Sequence, residues 1–380
     1  MPVLVRADLN VPLDDGRIAD DSRVRAALPA LQHLHEARAR VVLCSHLGRP
    51  EGHDPSMSLA PVSDRLGELL GRRVHQAPEV TGPEVRRGAS RLEPGEVLLL
   101  ENLRWEAGET ANDTLLASEL AALGRAFVND AFGAAHRAHA STVGVTEHLP
   151  SAAGPLLERE VTTLNAIADA PERPLVVVLG GAKVSDKVGV IRRFLEIADA
   201  VLIGGAMCFS FFRAQGLGTG DSLVEEKGVE PAAHALEQAA AGSRARLVLP
   251  TDLVIADRFD AAAERRDFNG PEVPDGWMGL DIGPRTAQAY ADEIAGAATV
   301  LWNGPMGAFE LEPYAAGTRA VAEAVASCQG TTVVGGGDSV AALVQFGLAG
   351  SVTHVSTGGG ASLELLEGRS LPGVEALDDA

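Results

Sequence analysis

Two lysines four positions apart follow an apolar run near the middle of the chain. The run Leu175–Leu179 leads into a pair of glycines, and Lys183 and Lys187 come directly afterwards. If a helix begins near Ser185, both lysines lie on one face of it. Glycines let an anion approach the backbone, and the lysines add positive charge. The stretch fits phosphate binding, although a plain strand-to-helix turn with two solvated lysines explains it equally well.

Basic and amide side chains follow the apolar runs of the first half of the chain, residues 3–5, 41–44, 97–100 and 126–128. Guanidinium groups suit paired hydrogen bonds to carboxylates and phosphates. Because the carboxyl ends of parallel strands meet at one edge of a sheet, these side chains are expected to converge. The donors are Arg6, Asn10, Arg23, His46, Arg49, Arg104 and Arg137.

The apolar runs of the second half lead into glycine instead. Glycines follow the runs near residues 179, 203, 302, 334 and 356. Exposed backbone of this kind suits close contact with a nucleotide and its phosphates. An arginine-rich half and a glycine-rich half together predict a group-transfer enzyme with two anionic substrates.

Helical patterns alternate with the apolar runs, which predicts an α/β protein with parallel sheets. Ser22 is expected to cap one helix. Ser58 is expected to cap another, with Pro61 in its first turn and Gly71 just past its end. The 380 residues exceed what one core usually serves, so two domains are expected.

Composition narrows the possible compartments and partners. A formal net charge of −20 disfavours nucleic acid and anionic membrane surfaces. The three cysteines form no CxxC pair, which argues against a disulfide framework or zinc site and favours a reducing compartment, the cytoplasm. The start of the chain lacks a signal-peptide pattern, and the apolar run 200–212 is too short to cross a bilayer.

Some residue patterns leave alternatives open. The chain has no GxxxxGK[ST] motif, and no GxGxxG follows a strand, which disfavours a Walker-type ATPase and a dehydrogenase. Asp338, after three glycines, suits either a helix cap or a Mg²⁺ ligand beside phosphates. His136 and His139 lack a nearby third ligand, so a metal site there is disfavoured.

Long motifs run in order along nearly the whole chain, residues 3–377. They are VRADLNVPL (5–13), SHLGRP (45–50), LENLRW (100–105), VNDAFGAAHRAHAS (128–141), GGAKVSDK (180–187), LPTDLVIAD (249–257), WMGLDIGP (277–284), LWNGPMGAFE (301–310), GGGDS (335–339) and HVSTGGGASLELLEG (354–368). By these motifs the chain resembles the phosphoglycerate kinase family. One departure is Ala206, where the family usually has glycine.

The resemblance implies two Rossmann-like, three-layer αβα domains with mostly parallel sheets, joined by a hinge helix across a cleft. It implies a phosphoglycerate-binding domain (1–155, with the tail 366–380 packing back on it), a hinge helix (156–170) and a nucleotide-binding domain (171–365). It also implies a cytoplasmic, monomeric glycolytic kinase, with no nucleic-acid or membrane partner. The reaction is reversible phosphoryl transfer between Mg²⁺-bound ATP and the carboxylate of 3-phosphoglycerate, giving ADP and 1,3-bisphosphoglycerate.

The same resemblance implies roles for individual residues. Arg23 and Lys183 would stabilise the moving phosphoryl group, and Asp338 would lie near Mg²⁺. The residues that would hold phosphoglycerate are Asp8, Asn10, Arg23, His46, Leu47, Gly48, Arg49, Arg104 and Arg137. The residues that would hold the nucleotide are Lys187, Gly279, Asn303, Pro305, Glu310 (on the ribose), Gly336, Gly337, Asp338 and Ser339. A non-catalytic nucleotide-binding protein is the alternative, favoured only if Arg23, Lys183 or Asp338 were replaced, and all three are present.

Overall fold

The computed structural model describes residues 1–378 and divides into two compact units. Unit 1 comprises Met1–Thr162 and Ser370–Ala380, and unit 2 comprises Thr163–Arg369. Residues 379 and 380, the end of the tail expected to pack on the first domain, lie outside the described residues. Within residues 1–378, no helix combines the length and the apolar character needed to cross a membrane.

Unit 1 is built on a parallel sheet with the strand order β5-β6-β4-β1-β7-β8, and β2 and β3 form a separate hairpin. The hairpin turn has positive φ at Asp15 and Gly16, the backbone that a two-residue Asp-Gly turn requires. The strands are β1 Pro2–Ala7, β2 Leu13–Asp14, β3 Arg17–Ile18, β4 Arg40–Cys44, β5 Val74–Gln76, β6 Val97–Leu99, β7 Phe127–Asp130 and β8 Ser151–Ala153.

Helices cover both faces of this sheet. Val3 and Val5 of β1 pack in one apolar cluster with Leu66, and Leu4 packs in another with Leu120. Because successive strand residues point to opposite faces, this arrangement gives three αβα layers. The helices are α1 Ser22–Ala26, α2 Leu28–Glu36, α3 Ala60–Leu70, α4 Pro83–Arg91, α5 Ala107–Thr110, α6 Thr114–Ala121 and α7 Pro155–Asp169. Helix α7 carries the chain from unit 1 into unit 2.

Unit 2 contains a second parallel sheet and a smaller antiparallel one. Their strand orders are β11-β10-β9-β15-β16-β17 and β13-β12-β14. The strands are β9 Leu175–Leu179, β10 Ala200–Ile203, β11 Arg246–Val248, β12 Leu253–Ala256, β13 Arg265–Phe268, β14 Met278–Ile282, β15 Thr299–Asn303, β16 Thr331–Gly335 and β17 His354–Val355. The parallel strands predicted from the apolar runs are confirmed in both units.

The helices of unit 2 pack against its parallel sheet. Buried Trp302 of β15 shares an apolar cluster with Tyr290 and Val321. The helices are α8 Val188–Ile197, α9 Cys208–Ala214, α10 Glu226–Ala240, α11 Pro284–Ala295, α12 Ala316–Ser327, α13 Gly337–Gln345 and α14 Gly360–Leu366. The last helix, α15 Pro372–Glu375, belongs to unit 1, where the amide of Asn129 donates to the carbonyl of Gly373 over 2.9 Å.

The predicted helix starts are only partly correct. Asp21, not Ser22, occupies the cap position of α1. Leu59, not Ser58, occupies the cap position of α3, although the Ser58 hydroxyl accepts a hydrogen bond from Ala60 N. Gly71 ends that helix with φ +64°. Helix α8 begins at Val188 rather than near Ser185. Lys183 and Lys187 therefore precede the helix and do not share one of its faces.

Candidate active site

The carboxyl ends of β1, β4, β6 and β7 bring together several basic side chains of unit 1. We call this group the basic cluster: Arg6, Arg23, His46, Arg49, Arg104, Arg137 and His139. Its members interact electrostatically, since the guanidinium groups of Arg6, Arg104 and Arg23 all lower the pKa of His46. The basic side chains therefore lie close together, as the sequence analysis expected, and their role as a binding site stays a prediction.

Arg6 is the buried anchor of the basic cluster. Its Nε donates to Ser141 Oγ over 2.9 Å, and its Nη2 lies 3.0 Å from His46 Nδ1. A guanidinium group has no acceptor, so His46 Nδ1 must accept this hydrogen bond. A neutral His46 therefore carries its proton on Nε2, where it can donate to an anion.

Both histidines of the basic cluster are held neutral. Burial, reinforced by the arginines around it, holds the pKa of His46 well below its ordinary value of 6.5. Burial and then the guanidinium groups of Arg104 and Arg6 lower the pKa of His139 to about 4. At neutral pH these rings provide hydrogen bonds, and the arginines provide the positive charge.

A buried carboxylate supports the basic cluster from behind. Glu109 is fully buried, and its two oxygens accept hydrogen bonds from Ser141 N at 3.0 Å and Ser141 Oγ at 2.6 Å. Ser141 Oγ in turn accepts from Arg6, so the chain Glu109–Ser141–Arg6–His46 fixes the position of the imidazole. The sequence analysis missed Glu109, whose only signal is an acidic residue four positions after the LENLRW motif.

Asp8 and Asn10 position neighbouring groups through their side-chain oxygens. Arg23 Nη1 lies 3.0 and 2.9 Å from the two carboxylate oxygens of Asp8, whose side chain is 5% exposed. Asn10 Oδ1 accepts a hydrogen bond from Gly48 N over 2.8 Å. Both residues thus hold the loops that form the basic cluster, in the region where the resemblance placed them.

Leu47 and Arg104 are tied together by Asn102, which the sequence analysis did not single out. Buried Asn102 Oδ1 accepts from Leu47 N over 3.0 Å and from Arg104 N over 3.1 Å, and its Nδ2 donates to Leu47 O over 2.7 Å. Arg49 and Arg137 are exposed. Among the described residues, the buried Nε of Arg104 has no hydrogen-bond partner.

Unit 2 contains a cavity of about 860 Å³ at the ends of its strands, a size suited to a small ligand. Its walls are largely apolar. Four of the predicted nucleotide residues line it: Gly279, Pro305, Glu310 and Asp338. Ala206 also lines it, and so do Phe209, Leu223, Phe259, Met278 and Leu280. The apolar wall suits a nucleobase. Glu310 and Asp338 add two carboxylates to the lining of the cavity.

The lysine loop, residues 180–187, connects β9 to α8 beside this cavity. Lys187 Nζ donates to the carbonyls of Gly180 over 2.6 Å and Asn303 over 2.9 Å. Burial lowers the pKa of Lys187 to about 8, against an opposing attraction from Asp338. Lys183 is exposed. The predicted pair thus separates into one lysine that bonds to backbone carbonyls and one that extends into solvent.

Three glycine turns that were interpreted as open backbone for a nucleotide are closely packed against one another. A Cβ on Gly180 would lie 2.1 Å from Pro305 O, one on Gly205 2.5 Å from Gly181 N, and one on Gly304 2.3 Å from Gly180 O. Backbone fills the space on the Cβ side of these glycines, so their lack of a side chain permits loop-to-loop packing. Gly181 and Gly205 nevertheless line the cavity, and backbone contact with a nucleotide at these turns stays a prediction.

A fourth glycine turn, residues 335–339, is different. A Cβ on Gly337 would meet no atom within 4 Å. Gly336 occupies the cap position of α13 with φ +87°, and exposed Asp338 lies in the first turn without a side-chain capping bond. Ser339 is buried, and its Oγ accepts from Gly304 N. The helix-cap alternative for Asp338 is therefore wrong, and the helix N-terminus is open to an anion.

Comparison with known proteins identifies the family. A family model described as phosphoglycerate kinase matches residues 1–369. The chain belongs to the phosphoglycerate kinase family. The phosphoglycerate kinase of Moorella thermoacetica is 56% identical over 378 residues, covering 99% of this chain and 96% of that protein. That of Roseiflexus castenholzii is also 56% identical, over 380 residues, with the same coverage of both chains.

Solved structures of phosphoglycerate kinases agree with the fold. The enzyme from Coxiella burnetii is 41% identical with a TM-score of 0.87, and that from Pyrococcus horikoshii OT3 is 35% identical with a TM-score of 0.89. Each comparison covers 99% of this chain and 95% of the other. The chain is a phosphotransferase of the phosphoglycerate kinase family, whose reaction is the glycolytic transfer of a phosphoryl group between ATP and 3-phosphoglycerate.

Proposed function

We propose that the basic cluster of unit 1 binds 3-phosphoglycerate and that the cavity of unit 2 binds the nucleotide in this reaction. One observation carries the proposal. In a protein with a net charge of −20, several arginines crowd together, and the buried Nε of Arg104 has no partner among the described residues. Cations gathered in this way are stabilised by an anion with several oxygens. 3-Phosphoglycerate, with a phosphate and a carboxylate, is such an anion.

On the acceptor side, Arg49, Arg104 and Arg137 bind the phosphate and carboxylate oxygens, and His46 donates from Nε2. The carboxylate of Asp8 accepts a hydrogen bond from the hydroxyl group of 3-phosphoglycerate. It also orients Arg23, a role that the ion pair between the two residues supports. Asn10, Leu47 and Gly48 complete the wall. These assignments follow from donor chemistry, since arginine forks match planar carboxylate and phosphate groups.

On the nucleotide side, the base occupies the apolar part of the cavity beside Gly279 and Pro305, with Glu310 accepting from ribose hydroxyls. Gly336, Gly337 and Ser339 present the first turn of α13 to the phosphates. A helix N-terminus favours negative charge through its free N–H groups and its dipole. Lys187 and Asn303 shape the adjoining turn, where Asn303 contributes a carbonyl to Lys187 Nζ.

Mg²⁺ is the ion that we propose to accompany the nucleotide. The described residues hold no group of three acidic, histidine or cysteine side chains that could bind a metal by themselves. One exposed carboxylate, Asp338, borders the cavity beside the α13 N-terminus. This donor set fits Mg²⁺, which typically takes one or two carboxylates and completes its shell with phosphate oxygens and water. When bound, the ion would neutralise phosphate charge.

Transfer itself relies on positioning and charge stabilisation, because phosphoryl transfer leaves little covalent work for the protein. We propose that Arg23 and Lys183 both contact the equatorial oxygens of the moving group in the transition state. An ionised carboxylate is already a nucleophile, so no general base is assigned. Exclusion of water would prevent hydrolysis, which favours a reaction cycle that includes domain closure.

The organisation of the whole molecule is part of the same proposal. We propose a phosphoglycerate-binding domain at 1–155 with its tail 366–380, a hinge helix at 156–170 and a nucleotide-binding domain at 171–365. The proposed form is a cytoplasmic monomer without nucleic-acid or membrane partners. The three cysteines without a CxxC pair support a reducing compartment, and the acidic net charge disfavours nucleic-acid and anionic membrane partners.

The test is to incubate the purified chain with ATP and 3-phosphoglycerate and to measure the acyl phosphate product directly, with and without Mg²⁺. The proposal predicts product only with both substrates and the metal, and a loss of product with an Arg104→Met variant. Nucleotide binding without transfer, at any Mg²⁺ concentration, would instead support the non-catalytic alternative.

A further inference from the structure

The middle of the lysine loop is held by a residue from another part of unit 2. Ser185 N donates to Glu225 Oε2 over 2.9 Å, and Ser185 Oγ donates to Glu225 Oε1. Both oxygens of one carboxylate are thus committed to one residue of the loop. Ser185 is two positions after Lys183, so this contact fixes the backbone that carries the lysine.

Glu225 immediately precedes helix α10, but its carboxylate is directed to the lysine loop. It is the cap residue of α10, yet it makes no side-chain capping bond there. The carboxylate reaches the lysine loop instead, and its own carbonyl accepts from Ser210 Oγ over 3.2 Å. The hydrogen bonds of the Glu225 carboxylate therefore link the start of α10 to the lysine loop.

The surrounding structure makes room for this contact. A Cβ at Gly228 would lie 2.8 Å from Glu225 Oε2, so the glycine leaves space for the carboxylate. The Glu225 side chain is 11% exposed, and 73%-exposed Lys227 approaches it only to 3.6 Å. Burial opposes ionisation of Glu225, but the hydrogen bonds from Ser185 and the charge of Lys227 outweigh it and lower its pKa. The carboxylate is ionised at neutral pH.

The two ends of the lysine loop are held independently of Glu225. Gly181 N donates to Pro305 O over 2.9 Å, and Lys187 Nζ is bound to the carbonyls of Gly180 and Asn303. Buried Val184 anchors the loop beside Ser185. Loss of the Glu225 contact would therefore loosen the segment around Lys183 and leave Lys187 in place.

We propose that Glu225 is a positioning residue that sets the location of Lys183 through its paired hydrogen bonds to Ser185. The inference rests on the proposed role of Lys183 in phosphoryl transfer. A catalytic charge displaced by about 1 Å can lose up to about a hundredfold in rate. Glu225 thus contributes to turnover without touching either substrate.

The first measurement does not depend on activity. Amide hydrogen exchange is followed by mass spectrometry in the full-length chain and in the Glu225→Ala and Glu226→Ala variants. Glu226 is the matched control, since it adjoins Glu225 but is 76% exposed and lies 3.6 Å from Arg213. Exchange in the peptide covering 181–188 should accelerate about tenfold in Glu225→Ala only. Equal exchange in all three proteins overturns the proposal.

The second measurement is kinetic. Glu225→Ala should lower kcat about ten- to a hundredfold, with KM for Mg²⁺-bound ATP within about threefold, because the interaction acts on the transition state. Glu225→Gln keeps one oxygen that can accept a hydrogen bond from Ser185, so its kcat should fall less than that of Glu225→Ala. In a protein that already carries Lys183→Ala, adding Glu225→Ala should lower kcat by less than about threefold. The same loss of kcat in both backgrounds would show a general structural role and overturn the proposal.

A second variant tests the proposal if Glu225→Ala is not stable enough to study. If Glu225→Ala does not fold, Ser185→Ala removes only the hydroxyl half of the contact and should lower kcat several-fold through the same route. An unchanged kcat in that variant, with Ser185 exchange also unchanged, overturns the proposal. If the wild-type chain transfers no phosphoryl group, the proposed function fails, while the exchange experiment still decides whether Glu225 holds the loop.

Discussion

At the scale of single residues, the basic cluster combines neutral histidines with charged arginines. Arg6 cannot accept a hydrogen bond, so its contact with His46 Nδ1 at 3.0 Å selects one tautomer. Glu109 and Ser141 hold Arg6 in that place. The buried carboxylate of Glu109 thus orients Arg6 through Ser141 and does not contact it directly.

The neutral state of His139 has a measurable effect on stability. Its pKa is about 4 in the folded protein, against an ordinary value of 6.5. Between these values the unfolded chain binds a proton that the folded chain does not, so the free energy of unfolding falls as the pH falls from about 6.5 to about 4. The contribution of His139 to this fall is at most about 3 kcal/mol.

Urea unfolding of wild type and His139→Gln at several pH values tests this expectation. The variant lacks the titrating ring and should lose less stability on acidification. Exposed His148 provides the control, since His148→Gln should follow the wild-type pH dependence. Parallel curves for wild type and His139→Gln would contradict the assignment.

At the scale of elements, the glycine turns of unit 2 divide into two kinds. A Cβ on Gly180 would lie 2.1 Å from a backbone carbonyl, whereas one on Gly337 would meet nothing within 4 Å. The first glycine serves packing between loops. The second leaves the N-terminus of α13 open.

Paired alanine substitutions distinguish the two kinds. Gly180→Ala should destabilise the protein by about 2 kcal/mol or more, because backbone atoms must move. Gly337→Ala should keep or slightly raise the stability, since alanine favours a helix by about 1 kcal/mol. It should also weaken ADP binding about tenfold, because a methyl group would crowd the phosphates at the helix N-terminus. Thermal unfolding and calorimetric titration with ADP measure both effects, and unchanged ADP affinity in Gly337→Ala would exclude this phosphate site.

Much of the sheet architecture was predictable because its strands are continuous apolar runs buried on both faces. The apolar run Leu175–Leu179 predicts strand β9 with its observed bounds. The parallel direction of the strands follows from the helical segments between them. Strand β13, Arg265–Phe268, was missed because it is polar and largely exposed, so it has no burial signal. The start of α8 was placed too early because the hydroxyl of Ser185, a good cap residue, is bound by Glu225.

The site was predictable where side-chain type alone determines chemistry, as for the arginines at strand ends. Glu109, Asn102 and Glu225 were missed because their roles depend on tertiary contacts. Ser185 and Glu225, for example, are forty positions apart in sequence. The close packing around Gly180, Gly205 and Gly304 was missed for the same reason, since a glycine packed against backbone and one without close neighbours look identical in sequence.

At the scale of the whole molecule, the acidic net charge and the local basic cluster oppose each other. The protein as a whole repels anions, so the proposed binding of 3-phosphoglycerate would depend on the short-range field of the arginines. The dissociation constant for 3-phosphoglycerate should therefore rise about threefold or more between 0.05 and 0.5 M salt, because mobile ions screen that field. Calorimetry with the full-length chain measures it.

Glycerate is the control ligand for the salt experiment, because it has the carboxylate and hydroxyl groups but no phosphate. Its weaker binding should depend less on salt. A dissociation constant for 3-phosphoglycerate that stays constant across the salt range would contradict an electrostatic acceptor site.

We propose that Lys183 of the lysine loop stabilises the moving phosphoryl group, and single-turnover transfer in Lys183→Ala is the decisive measurement. At saturating substrates, the rate should fall by about two to four powers of ten, the scale for losing a charge-stabilising donor. Dissociation constants for 3-phosphoglycerate and ADP should change less than about threefold, since the contact is strongest in the transition state. A Lys183→Ala protein with near-normal single-turnover rate would contradict the account and leave Lys183 as a solvated surface residue.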